Sequence, residues 1–212
     1  AWWDAICQRP LNDRPALVSS PSAVVHVVPA AALSPVDLDP REVRPHANLL
    51  RLFDDARDGG DGRRWWTHGE LKRLDGRPNP ETWWYGRLLP SGIVEFEVRL
   101  GVRIDDDPTI VVKGTRMESY IVEAADRGLQ LCAALGLTGP FGIGVVLYGV
   151  EDLEVAGRRS SGRYRIPSLD LPFSLVPAGS QRAGDDLRKA FDVMWMTAGL
   201  TERSPSYEQP EW

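Results

Sequence analysis

The chain has 212 residues, of which 42% are hydrophobic and 26% are charged, and its formal net charge is -5. This composition is typical of a globular protein with a sizeable core, and the negative charge argues against a general nucleic-acid binder, which carries a basic domain or stripe. The two cysteines, Cys7 and Cys132, are too few for a disulfide framework, and no apolar run approaches the roughly 18 residues of a membrane span. We therefore expect a cytoplasmic protein without a membrane span, either trimmed of its initiator methionine or part of a longer chain.

The first predicted element is a buried strand. Residues 22–33, SAVVHVVPAAAL, contain a β-branched run that Pro29 stops. Residues 46–62, HANLLRLFDDARDGGDG, predict a short helical turn before a Gly-Asp loop. Residues 65–76, WWTHGELKRLDG, predict a second strand with an irregularity at Gly69.

A β-hairpin is predicted for TWWYGRLL and GIVEFEVRL, which flank Pro90-Ser91-Gly92. Leu-Pro-Ser-Gly suits a type I turn followed by glycine in the left-handed region, so Leu89 should face Ile93. The register then follows two residues at a time. One face carries aromatic and charged pairs: Trp83 with Arg99, Tyr85 with Glu97, and Arg87 with Glu95. The other carries apolar pairs and one glycine: Trp84 with Val98, Gly86 with Phe96, and Leu88 with Val94.

This register divides the Trp83-Trp84 doublet. We expect Trp84 to lie in the core and Trp83 to lie on a polar face that is open to a ligand or a partner chain. The candidate binding residues on that face are Trp83, Tyr85, Arg87, Glu97 and Arg99. The alternative is a well-paired solvent face, covered by a loop or by the C-terminal tail. Of the two other doublets, Trp2-Trp3 and Trp65-Trp66, the second should divide in the same way if it lies in a strand.

The C-terminal half predicts two helices among further strands. TIVVK (109–113) predicts a strand, and a helix then begins at Thr115, where Thr115 and Glu118 form a capping box, and ends at Gly136. FGIGVVLYGVEDLEV (141–155) predicts a strand, and SLDLPFSLVPAGS (168–180) looks irregular. A second helix is predicted within residues 184–200. Its apolar stripe consists of Leu187, Ala190, Phe191, Met194 and Trp195.

The order of the elements favours the α+β class. Strands cluster and helices follow them instead of alternating with them, which predicts an antiparallel sheet of hairpins packed by two main α-helices. We expect a single domain over residues 1–212, with residues 201–212 as a polar tail.

The sequence does not contain a pattern that identifies catalytic residues. It lacks a Gly-x-Ser-x-Gly elbow, a metalloprotease histidine pair and a Cys-x-x-Cys motif. We predict no catalytic residue, no metal ligand and no cofactor. The alternative hypothesis is a metal-dependent nuclease or hydrolase, because carboxylates and histidines are the groups that such sites use. Its candidate residues are His26, His46, His68, Glu95, Glu97, Asp105, Asp106, Asp107 and Lys113.

Four arginines crowd the stretch RRSSGRYRIPS: Arg158, Arg159, Arg163 and Arg165. A solvated loop explains them, and phosphate binding is the alternative. Together with Trp83 and Tyr85 they also raise a third hypothesis, base stacking on a nucleic acid. Because the chain is acidic, we do not expect it to bind nucleic acid on its own.

Four segments, taken in order, resemble the region that follows the DNA-binding domain in bacterial Schlafen/AlbA-type proteins. They are VVHVVP (24–29), LLPSGIVEFEV (88–98), GVVLYGVEDL (144–153) with the helix before it, and the ending LRKAFDVMWMTAGLTERSPSYEQPEW (187–212). The resemblance implies that the DNA-binding domain would precede this chain, so no functional residue is carried over from it. It also implies a non-catalytic companion module that senses a ligand, holds a protein partner or self-associates.

Overall fold

The computed structural model describes residues 21–33, 38–54, 57–60, 65–69, 82–103, 110–157, 160–200 and 204. Within these residues the fold is α+β, as predicted, with a mostly antiparallel arrangement of strands. The strands are β1 (Ser22–Pro29), β2 (Arg57–Gly60), β3 (Trp65–His68), β4 (Trp84–Leu88), β5 (Val94–Arg99), β6 (Val102–Arg103), β7 (Ile110–Lys113), β8 (Phe141–Tyr148), β9 (Glu154–Ala156), β10 (Ser161–Arg163), β11 (Ser168–Asp170) and β12 (Ser174–Val176). The α-helices are α1 (Pro40–Val43), α2 (Gly114–Ala134) and α3 (Arg188–Thr197), and 3₁₀ helices cover Ala30–Leu33 and Arg44–Leu50.

The larger sheet places β1 near its centre. Its strand order is β11-β8-β1-β5-β4-β3-β2, β12 also pairs with β8, and all these pairs are antiparallel. Every residue of β1 is buried, as the continuous apolar run predicts. A smaller sheet has the order β10-β9-β7-β6, in which β7 and β9 run parallel.

The predicted hairpin is confirmed residue by residue. Trp84 pairs with Val98, Tyr85 with Glu97, Gly86 with Phe96, Arg87 with Glu95, and Leu88 with Val94. In the turn, the Leu89 N–H donates to the Ile93 carbonyl at 2.9 Å, and Gly92 has a φ of 82°. The Phe96 ring covers the space above Gly86, where an added Cβ would lie 2.7 Å from the ring. The turn residues and the alternation of side chains therefore decide this register locally.

The long helix α2 packs against β1, β5 and β8 and forms the main core with them. Gly128 permits this close approach, because a Cβ at that position would lie 2.6 Å from a methyl group of Val27. Leu135, Gly136 and Leu137 end the helix as predicted. Gly136 has a φ of 70°, and the Leu137 N–H donates to the Cys132 carbonyl at 2.8 Å, which completes a Schellman motif.

The prediction of a capping box at the start of α2 is wrong. The helix begins at Gly114, one residue earlier than predicted, and Lys113 occupies the N-cap without a side-chain hydrogen bond. Glu118 is fully buried, and its carboxylate accepts a hydrogen bond of 2.6 Å from the Trp195 indole N–H of α3. A tertiary contact with α3 therefore takes the carboxylate that the local pattern assigns to the helix start.

Two further predictions are corrected. Residues 168–180, predicted to be irregular, contain two short strands, β11 and β12, and both pair with β8. Residues 141–155 form two strands, because a turn around Asp152, with a φ of 62°, separates β8 from β9.

The Trp65-Trp66 doublet divides between the two faces of β3, opposite Leu88 and Arg87, but both tryptophans are half-buried. Trp2-Trp3 and most of the predicted tail lie outside the described residues.

Asp126 of α2 holds the segment before α3. Its Oδ1 accepts a hydrogen bond of 2.7 Å from the Ala183 N–H, and burial raises the pKa of its carboxyl above 3.8. A raised pKa means that the folded state binds the proton more tightly than the unfolded state does. The stability that this group contributes is therefore fully present below pH 3.8 and is lost as the pH rises through the folded-state pKa.

We predict that Asp126→Asn raises the melting temperature at neutral pH, because the amide keeps the oxygen acceptor and removes the buried charge. The gain should shrink as the pH falls toward 3.8, where the wild-type carboxyl is also protonated. Thermal unfolding over a pH series measures this, with Asp170→Asn, an exposed position on β11, as the control. A lower melting temperature for Asp126→Asn at neutral pH would contradict the prediction.

Candidate functional site

The sheet face that points away from α2 carries six polar residues that are almost fully buried. We call them the polar cluster: Ser22, His26, Tyr85, Arg87, Glu95 and Glu97. Tyr85 is 0% exposed, and Arg87 and Glu97 are each 7% exposed. The expectation that this face is open to a ligand, or to solvent, is therefore wrong for these three candidate residues.

The polar cluster joins three strands through side-chain contacts. The Tyr85 hydroxyl lies 2.8 Å from Glu95 Oε1 and 2.9 Å from Glu97 Oε2. Ser22 Oγ of β1 donates to Glu97 at 2.9 Å, and His26 Nε2 lies 2.7 Å from Glu95 Oε2. These contacts connect β1, β4 and β5, so the cluster helps to fix how the three strands align.

Arg87 and Glu95 form the ion pair of the polar cluster. Arg87 Nε lies 2.7 Å from Glu95 Oε1. Its N–H bond, however, is not directed at that oxygen, so the contact is not a hydrogen bond. The attraction is therefore mainly between the two charges. Because both side chains are buried, water screens this attraction much less than it would at the surface.

The alternative hypothesis of a metal site gains no support from the described residues. Among them, no group of three or more His, Cys, Asp or Glu side chains is arranged to hold a metal ion. His26, Glu95 and Glu97 do come together, but they bond to one another and to Tyr85 and Ser22. His68 contacts the Gly69 carbonyl, and Asp105, Asp106 and Asp107 lie outside the described residues.

A cleft of about 610 Å³ lies where Trp83 and the end of β5 meet β7 and the first two turns of α2. Its lining includes three cationic side chains, Arg99, Lys113 and Arg116, and two aromatic rings, Trp83 and Tyr120. No described residue that lines it is acidic. We call this the cationic cleft, and its charge differs in sign from that of the chain as a whole.

Aromatic rings hold two of the three cations in place. Arg99 Cζ lies 4.3 Å from the centroid of the Trp83 ring, which confirms the predicted cross-strand pair. Arg116 Cζ lies 5.4 Å from the centroid of the Tyr120 ring, and its Nε donates to the Tyr120 hydroxyl at 2.6 Å. Phe53 and Tyr120 pack edge-to-face at a centroid distance of 5.5 Å. Both guanidinium groups are thus oriented before any ligand arrives.

Lys113 supplies the third cation from the N-cap of α2. Its side chain is exposed, and no carboxylate of the described residues forms an ion pair with it. The first turn of α2 contains no acidic residue, so the partial positive charge of the helix start adds to that of the lysine. Lys113 was predicted only as a candidate residue of a nuclease site, and Arg116 and Tyr120 were not predicted as site residues. The only signal in the sequence for the contact between Arg116 and Tyr120 was their helical spacing of four residues.

The alternative of phosphate binding by the arginine stretch gains no support from its described residues. Arg163 and Arg165 line a more open cavity of about 680 Å³ beside the C-terminal end of α3. Each already has a carboxylate partner, Glu154 at 3.2 Å for Arg163 and Asp152 at 3.3 Å for Arg165. Arg158 and Arg159 lie outside the described residues.

Cys132 is a structural thiol. It is fully buried on α2, and burial raises the pKa of its thiol to about 12. Since the thiolate is the reactive form, this cysteine is unreactive at neutral pH.

No protein-family model, no curated protein and no solved structure matches this chain. The resemblance to Schlafen/AlbA-type proteins therefore stays a prediction. None of the helices in the described ranges is long and apolar enough to cross a membrane.

Proposed function

We propose that this chain is a non-catalytic binding module that senses an anionic ligand in the cationic cleft. The observation that carries the proposal is the meeting of Arg99, Lys113 and Arg116 in one cleft whose described lining contains no acidic side chain. A cleft lined by three cationic side chains, with no acidic residue in its described lining, is electrostatically suited to a negative group.

The fixed orientation of the two arginines favours binding further. Trp83 and Tyr120 hold the guanidinium groups, so a ligand immobilises fewer mobile side chains when it binds. A guanidinium presents its N–H groups as a fork that matches phosphate or carboxylate oxygens. Lys113 acts as a point charge beside them, near the start of α2.

This function agrees with the companion module that the Schlafen/AlbA resemblance implies. A module of that kind would report a ligand to a DNA-binding domain placed before it in the same protein. Binding of a protein partner, or self-association, is the other version of the companion hypothesis. The full reading frame of the gene tests the resemblance, because it shows whether a DNA-binding domain precedes Ala1.

We predict that the protein binds inorganic pyrophosphate and that Lys113→Ala weakens this binding about ten-fold, the usual effect of losing one charge-assisted contact. Isothermal titration calorimetry at low salt measures the affinity, which should fall as salt is added. Lys189→Ala removes another exposed lysine, from α3, and should leave the affinity unchanged. Equal affinities for the two variants, or no binding by the wild-type protein, would contradict the proposal.

A further inference from the structure

We infer, resting on the proposed function, that the ligand of the cationic cleft is a nucleotide, a planar heteroaromatic ring that carries a phosphate. Charge alone does not distinguish a nucleotide from an inorganic anion. Three other properties of the cleft do: its apolar wall, the stacked guanidinium group of Arg99 and its size.

The apolar wall consists of Trp83, Val111 and Tyr120, which lie beside the three cations. Val111 is 43% exposed, and Trp83 and Tyr120 are half-buried. Partly exposed apolar side chains lose contact with water when a ligand covers them, and an inorganic anion cannot provide that cover. The wall therefore indicates a ligand with an apolar, ring-shaped part.

The stacked guanidinium group of Arg99 matches a planar ring. Arg99 lies over the Trp83 ring, whereas the hydrogen bond from Arg116 Nε holds that guanidinium at the hydroxyl of Tyr120. Nucleic-acid bases stack on aromatic rings and on guanidinium planes in many binding sites. Lys113, at the N-cap of α2, is then available for the phosphate.

The size of the cleft limits the ligand. A volume of about 610 Å³ lies in the range of small-molecule sites. It is appropriate for a mononucleotide and too small for a duplex, which agrees with the acidic charge of the whole chain. We therefore commit to a mononucleotide.

The experiment compares the four ribonucleoside 5′-monophosphates with ribose 5-phosphate, which has the phosphate but not the base. Tryptophan fluorescence or calorimetry gives each affinity. We expect at least one nucleotide to bind about ten-fold more tightly than ribose 5-phosphate, because base stacking is strong enough for that difference.

Arg99→Lys is the variant that isolates the ring. It keeps the positive charge but removes the plane that rests on Trp83. We expect its nucleotide affinity to fall to about the level of ribose 5-phosphate, while its affinity for ribose 5-phosphate changes about two-fold or less. Lys113→Ala should weaken both ligands by the same factor, and Lys189→Ala should change neither.

The outcomes separate the two proposals. If pyrophosphate and ribose 5-phosphate bind but no nucleotide binds more tightly, the nucleotide inference is overturned and the anion-binding function stands. If none of these ligands binds, both fail. If the nucleotides bind more tightly and Arg99→Lys keeps the full preference, the base does not stack on the Arg99 guanidinium, and the inference is overturned in its stated form.

Discussion

Replacing Trp84 by alanine is expected to lower the free energy of unfolding by about 3–5 kcal/mol, the usual cost of removing a large aromatic side chain from a packed core. Trp84 is 1% exposed and is among the largest fully buried side chains of the described residues. It belongs to the main core between the sheet and α2. Phe53 and Trp84 pack edge-to-face at a centroid distance of 5.8 Å. Alanine would leave a cavity that the surrounding core fills only in part.

The matched control is Trp83→Ala, the same substitution one residue earlier. Trp83 is half-buried, and its defined partner is the Arg99 guanidinium, a contact worth roughly 0.5–1 kcal/mol at an exposed site. We expect Trp83→Ala to cost about 1–2 kcal/mol, including the lost packing. Equilibrium urea unfolding of both variants measures the difference, and an unchanged m-value would show that the unfolding transition is comparable. Similar losses for the two variants would mean that the strand does not divide the doublet between core and cleft.

The sequence predicts most where the deciding interactions are local. The hairpin register depends on a three-residue turn and on side-chain alternation, both contained within residues 83–99, and it agrees with the structure pair by pair. The C-terminal end of α2 depends on Gly136 and Leu137 and was also predicted correctly. The pairing of Trp83 with Arg99 follows from the same register, and this pair gave the first two residues of the cationic cleft.

The sequence predicts least where distant segments meet. The burial of Tyr85, Arg87 and Glu97 involves β1, whose Ser22 is 75 residues from its partner Glu97. Glu118 leaves the expected capping box for Trp195, which is 77 residues away. The three-residue strands β11 and β12 contain too few residues for a recognisable alternation and form only because β8 offers them a partner. Similarly, Lys113 and Arg116 join Arg99 only when α2 begins beside the end of β5.

The polar cluster leads to a second large effect. Removing one partner of a buried ion pair leaves the other charge uncompensated, which typically costs about 3–5 kcal/mol. Arg87→Met keeps most of the volume of the arginine and removes its charge. Glu95 would then retain His26 and Tyr85 as contacts but would lose its 2.7 Å ion pair. We therefore expect Arg87→Met to lower the free energy of unfolding by about that amount, measured by urea unfolding at neutral pH.

The control is Arg127→Met, which removes the same charge from a surface pair on α2. Arg127 pairs with Glu123 at a spacing of four residues, and their side chains are 30% and 51% exposed. Pairs of this kind contribute about 0.3–0.5 kcal/mol, because water screens the charges and both side chains stay mobile. Similar losses for Arg87→Met and Arg127→Met would show that burial does not strengthen the Arg87–Glu95 pair.

A double variant separates the cost of the unpaired charge from the value of the pair. In Arg87→Met/Glu95→Gln both charges are removed, and the glutamine amide can donate an N–H to the Tyr85 hydroxyl oxygen. We expect the double variant to be more stable than Arg87→Met alone, since no uncompensated Glu95 carboxylate remains.

This expectation has a structural reason beyond the ion pair. The Tyr85 hydroxyl has one proton but lies within 2.9 Å of two carboxylates. It can donate to only one of them at a time, so neutralising Glu95 leaves that proton for Glu97 alone. A double variant less stable than Arg87→Met would instead mean that the Glu95 charge is held mainly by His26.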